Sequence, residues 1–293
     1  MNRFSIRDIE NLTGIKAHTL RIWEQRYGIL QPKRTDTNIR FYDGDDLKNA
    51  LRLSLLNNLG YKISAINKMS DDDINLLIAK VTDVGFRLQA TVNEMLECTI
   101  SMDTEHFEEI IDAYIDLNGV EKTVELLIFA FLEKIGLMWM TSKIFPAQEH
   151  IVSNIITRKL ALATEKLKRN NLNKRKKLLL FLPEGEVHDI GLLYIQYLAY
   201  KNNSYPIYLG QNTPISEAEL VYELKKPEYI YIHITSAAEN FEVDKYIKKL
   251  SKAFPSSTVF ISGSMLHNTK VQVPKNVRLL YTLTEARDAI KNI

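Results

Sequence analysis

The chain has 293 residues, 45% hydrophobic and 25% charged, which is the make-up of a folded chain of two or three domains and excludes a disordered one. Its single cysteine, Cys98, excludes an internal disulfide and a Cys-only metal cluster and fits a cytoplasmic protein, while no apolar run reaches the about 18 residues of a membrane span or forms a signal core near Met1. The net charge of +2 would speak against a nucleic-acid partner if it were evenly spread, but residues 1–69 carry +5, residues 70–165 carry −10 and residues 166–293 carry +7, which divides the chain into three blocks.

In the first block, Ser5 reads as an N-cap ahead of Ile6, Ile9 and Leu12 at helical spacing, and Gly14 stops that short helix. A second helix from Lys16 repeats Leu20, Trp23 and Tyr27 along one face and closes at Gly28. Pro32 and Thr35–Asn38 read as a loop or short hairpin that re-enters at Ile39–Tyr42. An amphipathic helix over Asp45–Leu59 and a short one over Ser64–Met69 complete the block. The second block is helical by pattern. Apolar stripes over 74–98, 104–117, 120–138 and 149–168, with Pro146 breaking the chain before the last, predict a four-helix bundle. The third block changes period. Leu178–Leu182, Pro206–Leu209, Tyr229–Ile234, Thr258–Ile261 and Val277–Tyr281 alternate with amphipathic segments, which predicts a flavodoxin-like α/β domain with a five-stranded parallel sheet. The fold class is therefore multidomain: a winged helix-turn-helix head over 1–70, the bundle over 71–168, a basic linker over 169–177 and the α/β domain over 178–293. Lys166–Lys177 holds seven basic residues and no acidic one; it reads as a solvated helix end and linker, with a contact to DNA backbone as the alternative.

Two short helices, a glycine turn, a basic loop and a third helix match a winged helix-turn-helix, whose second helix enters the major groove. Its outward residues are Lys16, His18, Thr19 and Arg21, with Arg26 and Tyr27 toward the far end, and the wing carries Lys33, Arg34, Asn38, Arg40 and Tyr42. Arg and Lys neutralise phosphate, and Asn and Arg also read base edges. Thr19–Gly28, Leu30–Arg34 and Arg40–Tyr42 resemble the MerR family of transcription regulators. The resemblance implies a dimer on a pseudo-palindromic operator. Metal-sensing members carry several cysteines after the head; with Cys98 alone, metal sensing is not expected here.

The first strand of the third block runs into Leu182–Gly191, which contains Glu186, His188 and Gly191. Open α/β sheets bind ligands at the carboxyl ends of their strands, so His188 sits where a ligand contact is expected. Glu186 is placed to accept the other N–H of that imidazole, and Gly191 to let a bulky ligand approach the next helix. Alone, Glu-x-His-x-x-Gly is a weak string, since a loop histidine is most often only solvated. Leu209–Pro214, Thr235-Ser236 and Ser262-Gly263-Ser264 then put small and hydroxyl residues at the same sheet edge. Together these residues resemble the cobalamin-binding domain. That resemblance implies that His188 ligates cobalt from below, displacing the nucleotide base, whose tail passes Gly263 and either Thr235 or Ser236. Ser264 departs from the family's second glycine.

In the bundle, Trp139 extends the apolar stripe and by itself reads as a core residue. With Glu149-His150 nine residues further on, it looks like the Trp-x9-Glu-His motif of cobalamin-dependent photoreceptor repressors of carotenoid genes, which share this order of head, bundle and cobalamin domain. The resemblance implies that Trp139 caps the upper face of the corrin and that Glu149 and His150 contact an adenosyl group. Light-sensing members place a histidine after the tryptophan. Here that residue is Met140, a poor ligand for oxidised cobalt, and His150 is the nearby imidazole. His106 reads as solvated, His233 as a satisfied core residue, and His267 has no clear role. The expected protein is a non-enzymatic repressor that binds operator double-stranded DNA as a dimer or tetramer and senses adenosylcobalamin in preference to methylcobalamin, with light as a trigger. Two alternatives stand beside it. One is a MerR-type regulator whose sensor half has lost cobalamin, which Ser264 and Met140 keep open. The other is a corrinoid methyl-transfer carrier, against which the head argues.

Overall fold

Capping chemistry fixes where the first elements start. Ser5 Oγ accepts from Asp8 N–H while the Asp8 carboxylate accepts from Ser5 N–H, a reciprocal cap that opens α1 (Ile6–Thr13). Gly14 closes it at φ 75°, a left-handed turn that glycine adopts without strain. α2 (Ala17–Tyr27) ends the same way at Gly28. β1 (Lys33–Arg34) and β2 (Arg40–Phe41) pair antiparallel as the wing. Asp43 and Asp46 repeat the reciprocal cap to open α3 (Gly44–Asn58), and α4 (Ile63–Ile66) follows. Ile9, Leu20, Leu47, Ala50 and Leu56 fill the head's core.

The computed structural model describes residues 2–168, 176–236, 241–268 and 272–293. It forms two compact units, Met1–Ile155 and Ile156–Ile293. After the head come α5 (Asp71–Lys80), α6 (Val84–Ser101), α7 (Thr104–Lys122), a π-helical stretch (Thr123–Ile128), α8 (Phe129–Met140) and α9 (Pro146–Lys168). The stripe expected as one helix over 74–98 is two. Val81 leaves the helix at ψ 126°, and the Asp83 carboxylate accepts from Phe86 N–H at 2.7 Å to start α6 afresh. Gly119, at φ 78° and ψ 163°, interrupts α7 at the break between the expected 104–117 and 120–138 segments. Just after it the Thr123 hydroxyl donates to Gly119 O at 2.8 Å, where the helix widens into its π turn. Phe107 and Phe131 meet edge to face at 5.3 Å among Leu127, Ile128 and Ile111. Cys98 is buried there, and burial pushes its thiol up to about 12, which removes it from thiolate chemistry.

The second unit holds a parallel five-stranded sheet in the order β4-β3-β5-β6-β7. Its strands are β3 (Lys177–Pro183), β4 (Tyr205–Thr213), β5 (Tyr229–His233), β6 (Thr258–Ser262) and β7 (Val277–Leu280). This is the doubly wound order with the first strand second from the edge. α10 (Ile190–Lys201) packs with α13 (Leu283–Lys291), and α11 (Ile215–Lys225) packs with α12 (Val243–Ala253). β3 is apolar and buried on both faces, as a central parallel strand must be. β4 runs further than the expected Pro206–Leu209, through register shifts that pair Gly210 with Phe181 and Thr213 with Pro183. The basic linker expected over 169–177 falls on residues 169–175 for most of its length, outside the described residues.

Candidate functional site

The sequence points to three groups of residues, two in the first unit and one in the second. On the head, Lys16, His18, Arg21 and Arg26 are exposed on or beside α2, with Thr19 half-buried and bonded to His18 Nε2 at 3.3 Å. Leu20 turns inward, and Trp23 packs on the Leu53–Leu56–Ile63 cluster. Tyr27 packs there too, so most of its ring serves the head's core and not a DNA face. Tyr42 corrects the sequence reading more strongly. It is 1% exposed, exchanges two backbone hydrogen bonds with Phe4 at 2.8 Å, and donates its hydroxyl to Glu24 at 3.0 Å. Burial, then that bond to Glu24, pushes its phenol up to about 12. A side chain so enclosed reaches no phosphate.

Glu24 was missed. From α2 it holds Tyr42 and, at 3.4 Å, Arg40, so one carboxylate ties the groove helix to the wing. Lys33 pairs with Asp43, which raises its ammonium, and Arg34 donates to both oxygens of Asn38. Lys16 lies 3.2 Å from Glu10. Arg3 stacks over the Phe41 ring at 4.8 Å. These pairings are between residues up to 38 apart, and no local spacing announces them.

At the end of α8, Trp139 is 49% exposed while Met138 beside it is buried, so the tryptophan is not the core residue its stripe suggested. Met140 is exposed as well. On the first turns of α9, the Glu149 carboxylate takes His150 Nδ1 at 2.7 Å and the Ser153 hydroxyl at 2.5 Å.

The sheet edge of the second unit is built on Glu186, which is 0% exposed. One carboxylate oxygen accepts from the N–H groups of Val187 and His188 at 3.0 Å and from His188 Nδ1 at 2.6 Å. The other accepts from Thr235 N–H at 2.7 Å, the Thr235 hydroxyl at 3.1 Å and Ser236 N–H at 2.6 Å. Burial pushes this carboxyl up, but hydrogen bonds from His188, Ser236 and Thr235 outweigh it and hold it down at about 2. The ring of His188 is thereby fixed through Nδ1, with its side chain 59% exposed. Glu186 thus brings His188, Thr235 and Ser236 together. The hydroxyl of Thr235 is spent on Glu186, and Ser264 donates to Thr235 O at 2.9 Å.

Two glycines of the motif act through space. At Gly263, φ is +118° and a Cβ would lie 2.0 Å from Ile234 O, so only glycine fits the β6 exit. At Gly191 a Cβ would lie 2.7 Å from His233 Nε2. Gly191 therefore makes room for a protein ring, where the sequence reading had it making room for a ligand. His233 Nδ1 meets the Ser262 hydroxyl at 2.7 Å, which also accepts from Tyr231. Burial pulls this imidazole down to about 4 and keeps it neutral. Asn212 and Tyr208, both missed, hold the loop from β4: Asn212 accepts from Gly185 N–H at 2.8 Å, and the Tyr208 hydroxyl donates to Asp189 at 3.3 Å. Asparagine's tolerance of the left-handed region, here φ 50° near the end of β4, was the available signal for the first.

Residues 4–73 match the MerR HTH family of regulatory proteins, and residues 91–164 match the B12 binding domain family. The two matches lie one after the other in the chain, a MerR-like head and then a segment similar to the B12 binding domain. It is similar to the HTH-type transcriptional repressor CarH of Myxococcus xanthus, 24% identical over 270 residues, 89% of each chain. It is also similar to the HTH-type transcriptional repressor CarA of the same organism, 23% identical over 264 residues, 88% of this chain and 85% of that one. Among solved structures, the monomethylamine corrinoid protein of Methanosarcina barkeri matches at a TM-score of 0.54 and 13% identity, over 70% of this chain and 98% of that one, which speaks to fold alone. The MerR head contains every groove and wing residue named above, and the B12 binding domain match contains Trp139, Glu149 and His150. Among the described residues no helix is long and apolar enough to cross a membrane.

Proposed function

We propose that the chain is a cytoplasmic repressor that binds operator DNA as a dimer or tetramer, and that its DNA affinity is set by adenosylcobalamin and relieved by light. Its head spans 1–70, its helical cap 71–168, its linker 169–177 and its cofactor sheet 178–293. The observation that carries this reading is the Glu186–His188 pair. A buried carboxylate that fixes Nδ1 gives the other nitrogen the tautomer and basicity of a metal ligand. One imidazole is a single protein donor, which suits a metal that a macrocycle already holds. The donor set therefore fits cobalamin. The repressor names of the two relatives and the head's match over 4–73 favour regulation over methyl transfer.

Each residue then has a task. His188 would be the residue that holds the cobalt of a bound cobalamin, and Glu186 would keep the proton on its Nδ1. Thr235, Ser236 and Gly263 would hold the nucleotide tail, while Gly191 seats His233. Trp139, Glu149 and His150 would hold the adenosyl side of the cofactor. When bound, the cofactor supplies a light-sensitive cobalt–carbon bond, chemistry that is its own. Met140 offers no imidazole beside Trp139, and His150 is the histidine in reach of that role. Lys16, His18, Arg21 and Arg26 meet DNA from α2, and Arg34 and Arg40 from the wing.

The test uses the purified full chain and adenosylcobalamin in the dark. Wild type is expected to bind it and take on a base-off, His-ligated visible spectrum. His188→Ala is expected to lose that spectrum and to weaken binding by about 10-fold or more. A gel shift on the promoter region of its own gene, with and without the cofactor, in the dark and after illumination, reads the control. A wild type that binds no cobalamin, or binds DNA equally in all four conditions, overturns the reading.

A further inference from the structure

The head and the helices that follow it share one compact unit, Met1–Ile155. They are joined by a buried amide pair. Asn2 Nδ2 donates to Gln148 Oε1 at 3.0 Å, and Gln148 Nε2 donates back to Asn2 Oδ1 at 3.1 Å. Asn2 is 8% exposed and Gln148 2%. Each amide also grips backbone: Asn2 Nδ2 donates to Lys143 O at 2.7 Å, Gln148 Nε2 donates to Ile100 O at 2.9 Å, and Gln148 Oε1 accepts from Phe145 N–H at 3.0 Å. Three further contacts join the head to these helices. Lys143 Nζ lies 3.2 Å from Asp8 on α1, Lys134 Nζ donates to Leu12 O at 3.1 Å, and Glu97 on α6 takes Lys48 of α3 at 3.2 Å.

The turn that carries these contacts lies between the two halves of the upper motif. Trp139 and Met140 end α8, residues 141–145 form the turn, and Gln148 immediately precedes Glu149 and His150 on α9. One helical turn therefore shows Gln148 to the head and His150 to solvent. A shift of that turn cannot move one without the other. A buried reciprocal amide pair also does not stretch by degrees; once parted, each amide is left short of a partner in a dry setting.

We propose that Gln148 is a positioning residue that transmits the state of the Trp139–Glu149–His150 face to the DNA-binding head through Asn2. The inference rests on the functional reading above, which gives that face its ligand. Its test uses the full chain in the dark, with adenosylcobalamin affinity read from the visible spectrum and DNA affinity from the promoter gel shift. In wild type the cofactor is expected to change DNA affinity by about 10-fold. In Asn2→Ala and in Gln148→Ala that ratio falls to within about twofold of one, cofactor affinity stays within about twofold of wild type, and the double variant adds nothing to the singles. Asn2→Ala leaves the bonds of Gln148 to Ile100 and Phe145 in place, so it decides the matter if Gln148→Ala fails to fold. An Asn2→Ala chain that keeps the wild-type ratio overturns this inference alone. So does one whose ratio falls only in step with its cofactor affinity. A wild type that binds no adenosylcobalamin overturns the functional reading and this inference together.

Discussion

At the scale of single residues, two ionisable groups of the second unit make stability depend on acid. Glu186 ionises at about 2 in the fold against an ordinary 4.5, so its contribution is complete above 4.5 and is lost as pH falls toward 2. His233 is held at about 4 against an ordinary 6.5, so the unfolded chain takes up its proton first and stability falls between 6.5 and 4. Both act in one direction. Chemical unfolding of the full chain across this range is expected to show two successive losses, the lower one worth about 3 kcal/mol. Glu186→Gln should flatten the lower loss, and His233→Gln the upper. The Glu-x-His spacing made the first pair legible in the sequence. The grip of Glu186 on Thr235 and Ser236 spans 49 residues and was not legible, nor was the contact of Gly191 with His233, because both depend on how β3 and β5 align.

At the scale of elements, the sequence is clearest where a local rule suffices. Ser5 accepts from the first turn of α1, and Gly14 and Gly28 close α1 and α2 in the left-handed region. The division of 74–98 into two helices was missed because its apolar stripe runs through the break; the cap at Asp83 marks it, and the stripe does not. The wing was legible as a hairpin, but its attachment was not. Glu24→Ala is expected to release Arg40 and leave the Tyr42 hydroxyl without its acceptor, at about 1 kcal/mol in stability and about 10-fold in operator affinity. Thermal melting and the gel shift separate the two effects; unchanged DNA affinity would show that the wing's angle is set elsewhere. Gly263→Ala places a methyl against Ile234 O at a forbidden φ, and a loss of about 3 kcal/mol or more in unfolding measurements is expected.

At the scale of the whole molecule, the three charge blocks separate tasks that a net +2 conceals. The basic head must bind a polyanion beside a segment of −10, so its cations matter one by one. Six were named on the groove helix and wing. Lys16, Lys33 and Arg40 already lie beside Glu10, Asp43 and Glu24. Such pairs release fewer counterions when they meet phosphate. The slope of log affinity against log salt is therefore expected nearer about −3 than about −5 per head, and Arg21→Ala should reduce it by about 1. On the proposed reading, cobalamin binding would be held by coordination and should barely respond to salt. A DNA slope near −5 would mean that the ion pairs open on binding.

The carboxylate of Glu186 has one more consequence, in the timing of capture. Its six hydrogen bonds hold His188, Thr235 and Ser236 in place. On the proposed reading, little chain entropy would be left to lose at this edge of the sheet when a ligand meets His188. Encounter, not rearrangement of the loop, would then set the pace of that step, and sequence changes around Glu186 would be felt in the ligand's residence time.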